Sequence, residues 1–554
     1  MFFLGSQLKF EMVPDPTSVV NQKAMKVLHI GNIANNAYWA AVILNDAGHD
    51  STVLCKDYYH IMGCPEWEEV YLHQTPADQF NPKWYEVVSK DYSRPSWFVQ
   101  GREATCLKFL AEDIPSNILA KTLALESGII PLNVWNVFSV GLISYFEISL
   151  SRGVQKFLEW LYLHHTSIYS FLKAVKRALR PEKFSRATRR LFWHFDRDSD
   201  RDETLLGEAR VFDARVAELC EKYRTEFPNS TPLVPGDFSG FQANYNLWAS
   251  VLKKYDFVIG YALDGIYPLL LGVPYAAFEH GTIREIPYEE TSRGRLCKLT
   301  YRMANHCFVT NIDCIDSAKY LSPERFTVIN HPFDETVACS YPKQSDLRNR
   351  LLFKLDASFL IFHPTRQDWK VGTGPADKAN DAFWRAIGLL RTNGVKVGVV
   401  CTKWGKNVPE SVRLIHELGI QPHVEWIDPQ ATLPILAMCA AADLVADQFS
   451  LGAFGGILPK ALACGTPVLT YLERGRTEGI FAESPPVLNC RTVEEIVFQV
   501  ELAYGDKDFL EALAAEGARW VANYHSKALF EEELNRVLSA MSREAADTKG
   551  YVTQ

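Results

Sequence analysis

Short apolar runs alternate with helix-length amphipathic stretches in two parts of this chain, and that alternation predicts parallel α/β sheets. Residues 25–57, MKVLHIGNIANNAYWAAVILNDAGHDSTVLCKD, read as strand, glycine turn, helix, a stop at Gly48 and a second strand. The rhythm resumes in YDFVIGYALDGIYPLLLGVPYAAFEHG (255–281), and CFVTNIDCIDSAKYL and FTVINHPFDE carry the same sheet to about residue 335. YPKQSDLRNRLL then reads as an interdomain connection. A second set starts with SFLIFHPTR (358–366) and continues through VKVGVVCT, HVEWID and DLVADQ, with helix signals between them.

The expected fold class is α/β, with two Rossmann-like domains facing across a cleft. Residues 1–24 read as an N-terminal extension and 25–335 as the first domain. Residues 345–525 form the second, and 526–554 a C-terminal helix and tail.

The texture changes between about 100 and 235, which reads as a helical insertion in the first domain. GIIPLNVWNVFSVGLISYF (128–146) is interrupted by Pro131 and by polar Asn and Ser residues, so it is not read as a membrane-spanning helix. Beyond it, aromatic residues mix with Lys173, Lys176, Arg177, Arg180, Lys183, Arg186, Arg189 and Arg190. Two readings stay open: a helical insertion with one solvated basic face, or reversible association of 128–195 with an anionic membrane surface.

With 554 residues the chain is too long for one ordinary core. Its 47% hydrophobic and 22% charged residues, with a net charge of -8, fit a soluble protein and give no general attraction to nucleic acid. The 12 cysteines are scattered without a C-x-x-C pair, as expected of reduced core thiols with no structural zinc. The N-terminal residues show no signal-peptide pattern. The expected location is cytoplasmic, at most peripheral at the inner face of the membrane.

Ligands of open α/β sheets bind beyond the carboxyl ends of the strands. Gly31 is followed by Asn32, Ile33, Ala34, Asn35 and Asn36, so the G-x-G-x-x-G of a nicotinamide dehydrogenase is absent. Three other strand ends carry chemistry: His280-Gly281-Thr282, His363-Pro364-Thr365-Arg366, and the glycine turn 452–456. The turn's amides can face an anion. Arg366 offers a planar cationic fork and Lys378 a point charge.

The order Arg366, then Lys378-Ala379-Asn380-Asp381, then GAFG, then KALACGTPV resembles the donor half of GT-B glycosyltransferases, specifically the retaining family 4 group. The family segment reads E-G-F-G, four residues, then E-A-x-A-x-G-x-P-V. Phe454, Gly455, Ala461, Ala463, Gly465, Pro467 and Val468 agree with it, whereas Gly452 and Lys460 stand where the family keeps two glutamates.

The resemblance covers mainly 358–475 and implies transfer of a sugar from a nucleotide-sugar, with retention, to a glycan, a lipid-linked acceptor or another glycoconjugate, without a cofactor or obligatory metal. It places the donor diphosphate between Arg366, Lys378 and the amides of Gly452, Ala453, Phe454 and Gly455. His280 becomes the catalytic candidate. Lys460, Asp447 and Trp404 are candidates for the donor sugar or nucleotide, and Gly31, Asn32 and Arg284 for the acceptor side. A lysine has no acceptor for a ribose diol, so Lys460 leaves a gap in the pattern. The alternatives are a catalytically inactive GT-B-like binding or scaffold subunit, or another two-domain sugar-nucleotide enzyme.

Overall fold

The computed structural model describes residues 24–112, 117–132, 199–370 and 377–552. Two wholly parallel sheets organise them, in the two-domain arrangement of the GT-B fold. The first has 7 strands in the order β3-β2-β1-β4-β5-β6-β7. They are β1 (Lys26–Ile30), β2 (Asp50–Lys56), β3 (Phe98–Gly101), β4 (Phe257–Tyr261), β5 (Ala276–Glu279), β6 (His306–Val309) and β7 (Phe326–Val328). The second has 6, in the order β10-β9-β8-β11-β12-β13. These are β8 (Phe359–His363), β9 (Val397–Thr402), β10 (Val424–Ile427), β11 (Leu444–Ala446), β12 (Val468–Thr470) and β13 (Leu488–Asn489).

Parallel strands covered by helices on both faces read as continuous apolar runs, and FVIGY, FLIFH and VGVVCT are buried at every residue. Register is set by such runs: Val27 and Leu28 of β1 lie opposite Phe257 and Val258 of β4. In the second sheet Val445 of β11 lies opposite Phe362 of β8. Strand order reverses between β1 and β4 and between β8 and β11, and an open sheet gapes at such switch points.

Two elements differ from the sequence reading. YPKQSDLRNRLL is not a free connection: it contains the helix Ser345–Lys354. Leu347, Leu351 and Leu352 of that helix pack on the second domain's core, and Arg348 grips Asp443 with Nη2 2.9 Å from Oδ2. The strand Phe98–Gly101, just before the expected insertion, was too short to read from sequence because FVQG ends in a polar residue and a glycine.

Within the insertion, the described helices are Glu103–Ala111, Asn117–Glu126 and Ser199–Glu226. Phe212, Val216, Leu219 and Tyr223 of the long helix join the first domain's core. Residues 133–198, and so most of the proposed membrane-facing stretch, lie outside the described residues, as does the extension apart from Ala24. Among the described residues no helix is long and apolar enough to cross a membrane.

The chain crosses between the domains twice, side by side. It leaves the first domain after β7, and returns after the helix Lys507–Tyr524 into the helix Lys527–Val552. Asn330 Nδ2 donates to the Tyr524 carbonyl at 2.9 Å, and Lys527 Nζ meets Asp334 Oδ2 at 2.8 Å. The last helix packs on the first domain, where Phe530, Leu534, Val537 and Leu538 share a core with Tyr38, Ala41, Phe278 and Phe308.

Candidate functional site

The second domain's half of the cleft is built at the switch point. β8 ends in His363, whose ring is fixed between the Ala446 carbonyl at 2.9 Å and Asn380 Nδ2 at 2.9 Å. Burial holds this imidazole neutral, its pKa pushed down to about 4. Two residues on, the Thr365 hydroxyl donates to Asp447 Oδ1 at 2.8 Å, tying the end of β8 to the end of β11. Arg366 is 43% exposed at its side chain, with its guanidinium 5.9 Å from the Trp404 ring and 3.4 Å from Asp368. Trp404 Nε1 donates to the Pro364 carbonyl at 2.9 Å, so the indole braces the loop that carries Arg366.

Lys378 precedes the helix Asn380–Thr392. Burial pulls its ammonium below the ordinary lysine range, Asp447 opposes that shift, and Arg366 and Arg284 add to it. Asp447 is shifted upward by burial and held back by Lys378 and Thr365. Each group therefore keeps the other charged in a place where either alone would be driven toward neutrality.

The glycine turn follows β11 and runs into the helix Ile457–Ala463. Ala453 and Phe454 are buried, and the Phe454 ring packs near Phe481, Trp520 and His525. Only the backbone of these two residues is left to meet a ligand. Gly455 and Gly456 face open space where a side chain would stand. Gly452 has φ +73, and a Cβ there would come within 2.9 Å of Glu473 Cβ and 3.0 Å of the Tyr471 ring. The first glutamate position thus has no room for a glutamate, because the chain after β12 fills it.

The first domain contributes the segment after β5. Glu279 is fully buried, with one oxygen accepting the Gly281 amide and the other facing Asn311. Gly281, at φ +103, leaves room for Arg284, whose Nη1 lies 2.8 Å from where a Cβ would sit. Arg284 folds onto Asp313, Nη2 to Oδ1 at 3.0 Å. Between them His280 buries its Nε2 with no hydrogen-bond partner among the described residues. Burial lowers its pKa to about 4, and the Arg284 charge pushes the same way. At neutral pH it is a neutral imidazole, suited to hydrogen bonding rather than to carrying charge.

These halves meet. Lys378 interacts electrostatically with Arg366 and Asp447 on its own domain and with Arg284 and Asp313 on the other. His331, just past β7, senses His280, Arg284, Asp313 and Lys460. Three expected residues have protein partners of their own. Asn32 donates to Asn35 Oδ1 at 2.8 Å and to the Gly63 carbonyl at 3.0 Å, and accepts the Tyr38 amide at 3.0 Å, which makes it a loop brace. Gly31, at φ +90, makes room for Asp264, whose Oδ2 lies 2.4 Å from a Cβ placed there. Lys460 turns to the first domain: its Nζ lies 3.9 Å from Glu68 Oε2 and 3.3 Å from Thr432 Oγ1.

Asp313 and His331 were missed although both follow strands closely, the same signal that picked out His280. Glu68 had no local signal. It is 6% exposed and is held by Thr432 Oγ1 at 2.7 Å, Trp39 Nε1 at 3.0 Å and Asn35 Nδ2 at 3.1 Å.

No protein-family model matches the chain. Over 101 residues it is 37% identical to D-inositol 3-phosphate glycosyltransferase of Mycolicibacterium smegmatis, a span of 18% of this chain and 23% of that one. The enzyme of the same description from Mycobacterium tuberculosis is 38% identical over 101 residues, 18% of this chain and 21% of its own. The chain therefore spans about a fifth of the length of these curated relatives. Among solved structures, Anabaena HepE in complex with UDP and glucose is similar at a TM-score of 0.44 and 18% identity, over 53% of this chain and 82% of that one.

Proposed function

We propose that this protein transfers a sugar from a nucleotide-sugar to a glycan, lipid-linked or other glycoconjugate acceptor. The observation that carries the reading is the exposed Arg366 fork and the Lys378 ammonium at the strand ends beside a glycine turn whose outer face is open, with the Arg284 charge acting on Lys378 from the other domain. Asp368, Asp447 and Asp313 offset these charges within the protein, and the exposed part of the Arg366 fork is left for a ligand. A diphosphate leaving group fits, and its developing charge would be stabilised by preorganised donors. The short segment shared with inositol phosphate glycosyltransferases points the same way.

In this reading Arg366, Lys378 and the backbone of Gly452, Ala453, Phe454 and Gly455 hold the diphosphate. Asp447 keeps Lys378 charged, Trp404 supports Arg366, and His280 offers a neutral imidazole to the transferred sugar. Arg284, paired with Asp313, stands on the acceptor side, and Gly31 and Asn32 shape the turn after β1 on the same domain. The reaction proceeds with retention by front-face attack and needs no metal or cofactor. Surface-glycan or glycoconjugate synthesis, at a cytoplasmic membrane face approached through 128–195, completes the proposal.

Calorimetry with UDP, ADP and GDP, followed by a screen of nucleotide-sugars for consumption, tests it. Binding of one diphosphate with turnover of its sugar ester is expected. Failure of all three to bind would end the reading. Vesicle flotation with and without anionic lipid tests the membrane part separately.

One observation favours a second reading, a GT-B-shaped binding subunit without catalysis. Lys460 is engaged with Glu68 and Gly452 carries no side chain, so neither glutamate position offers a carboxylate of its own. Diphosphate binding without turnover of any sugar ester would select it.

A further inference from the structure

The first domain has a switch point of its own, between β1 and β4, and three strand ends meet there. Lys56 closes β2, Gly31 follows β1, and Asp264 lies just past β4. The Asp264 carboxylate reaches across Gly31, whose missing Cβ gives its Oδ2 room, and meets Lys56 with Oδ1 3.3 Å from Nζ. Lys56 Nζ also stands 4.8 Å from the centre of the Tyr267 ring. The two charged side chains are 17% and 25% exposed, recessed yet open to a ligand. β5 lies beside β4, so the end that carries His280 is one strand away, a step of about 5 Å.

A second carboxylate stands behind Tyr267. Glu103 accepts from the Tyr267 hydroxyl through Oε2 at 3.1 Å, and from Trp248 Nε1 at 3.2 Å and Asn244 Nδ2 at 3.1 Å through Oε1. Within this group one ammonium therefore faces two carboxylates. Burial works against the Lys56 charge, but Asp264, Tyr267 and Glu103 outweigh it, so the ammonium holds its proton above the ordinary lysine range. Burial raises the Asp264 carboxyl, and Lys56 opposes the rise. No hydrogen bond reaches Asp264 Oδ2 among the described residues.

A hydroxyl is at once a donor and an acceptor, and a carboxylate beside an ammonium answers both halves. A phosphate offers acceptors alone. It would have to take Lys56 from Asp264 while facing the repulsion of two carboxylates.

We infer that Lys56 and Asp264 seat a hydroxyl of a neutral polyhydroxy acceptor, a sugar or polyol that carries no phosphate or carboxylate at this place. The inference rests on the nucleotide-sugar reading above and adds the charge class of the acceptor to it. Asp264 accepts from the hydroxyl, Lys56 donates to it, and Asp264 and Glu103 together turn anionic groups away.

Saturation-transfer NMR on the full chain tests this, with and without UDP, ADP or GDP. The probes are the methyl glycosides of glucose, galactose, mannose and N-acetylglucosamine, together with myo-inositol, each beside its monophosphate. At least one neutral compound is expected to bind, and its monophosphate about tenfold more weakly. Asp264→Asn should weaken the neutral compound about tenfold and narrow the margin over the monophosphate to about twofold or less. Lys56→Met should weaken the neutral compound and leave the monophosphate excluded, a split that a merely structural pair would not produce. The double variant Lys56→Met with Asp264→Asn leaves neither member of the pair charged, and it decides the matter if Asp264→Asn folds poorly: neutral binding should be lost while diphosphate affinity stays within about twofold of wild type. Tighter binding of a monophosphate than of its neutral parent, neutral binding unchanged in Asp264→Asn, or no neutral binding at all overturns the inference, while diphosphate binding keeps the nucleotide-sugar reading intact. Absence of diphosphate binding overturns that reading instead, and neutral binding that depends on Asp264 would still support the hydroxyl site.

Discussion

The amide of Glu473 donates to the carbonyl of Gly452 at 3.0 Å, so the chain leaving β12 lies directly against the glycine turn. That contact explains why position 452 carries no side chain: the space a carboxylate would need is already taken. Gly452→Ala is expected to lose about 1–2 kcal/mol of stability from the left-handed backbone alone, with further loss from the crowding against Tyr471. Gly452→Glu should lose more and gain no donor affinity. Urea unfolding of the two variants, with diphosphate titrations on whatever remains folded, checks both statements.

Arg366 lies near the Trp404 ring and pairs with Asp368 through Nη1 yet keeps 43% of its side chain exposed, which leaves part of its fork available to a ligand. Arg366→Ala should weaken diphosphate binding by about 1.5–3 kcal/mol, the range of charge-assisted hydrogen bonds. Arg366→Lys should recover only part of it, because an ammonium neither forks nor stacks as a guanidinium does. Unchanged affinity in calorimetry would remove Arg366 from the site.

Asp447 supports the charge on Lys378 against burial. In Asp447→Asn that support is gone, and the lysine loses its proton at a lower pH than in the wild type. Diphosphate affinity, which needs the ammonium form, should then begin to fall at a lower pH as the solution is made alkaline. Binding titrations across neutral to alkaline pH would show the displaced limb, and coincident profiles would argue that Lys378 does not meet the phosphate.

His525 sits at the returning crossing among Phe333, Phe454, Trp520 and His331, with neither ring nitrogen in a well-formed hydrogen bond among the described residues. Its pKa is pushed down to about 3 by burial; the His331 ring charge adds to that shift and the His331 backbone opposes it. An unfolded histidine takes up a proton below about pH 6.5, whereas this one stays neutral, so the unfolded state binds more protons as acid is added. Stability should fall as pH drops from about 6.5 toward 4, by about 1.4 kcal/mol per pH unit for a group that titrates fully only when unfolded. His525→Phe should flatten that slope by roughly this amount and cost little at pH 7, since it replaces two nitrogens that lack a well-formed hydrogen bond by apolar surface. Denaturation curves at several pH values measure the slope.

The architecture was legible because its strands are buried on both sides: runs such as FLIFH and VGVVCT declare themselves without any knowledge of their neighbours. The strand-end rule then located His280, Arg366 and the glycine turn, and it would have reached Asp313 and His331 had it been applied to every strand. Glu68 is a different case. It sits in PEWEE, a helix too short to show periodicity, and its bond to Thr432 joins residues 364 positions apart. Nothing local marks one glutamate among neighbours as the one that crosses the domain boundary. The same holds for Gly452, whose meaning depends on Glu473 rather than on the turn that contains it.

The second crossing has a consequence for how this protein comes into being. Phe530 and Leu534 complete a core that includes Tyr38 and Ala41, so the first domain's hydrophobic interior is assembled from segments on both sides of the second domain. The second domain, contiguous from the outgoing crossing to Tyr524, emerges as one uninterrupted segment during synthesis. The first keeps an open apolar groove until the helix Lys527–Val552 has been made. In order of synthesis the domain begun before the other is completed after it.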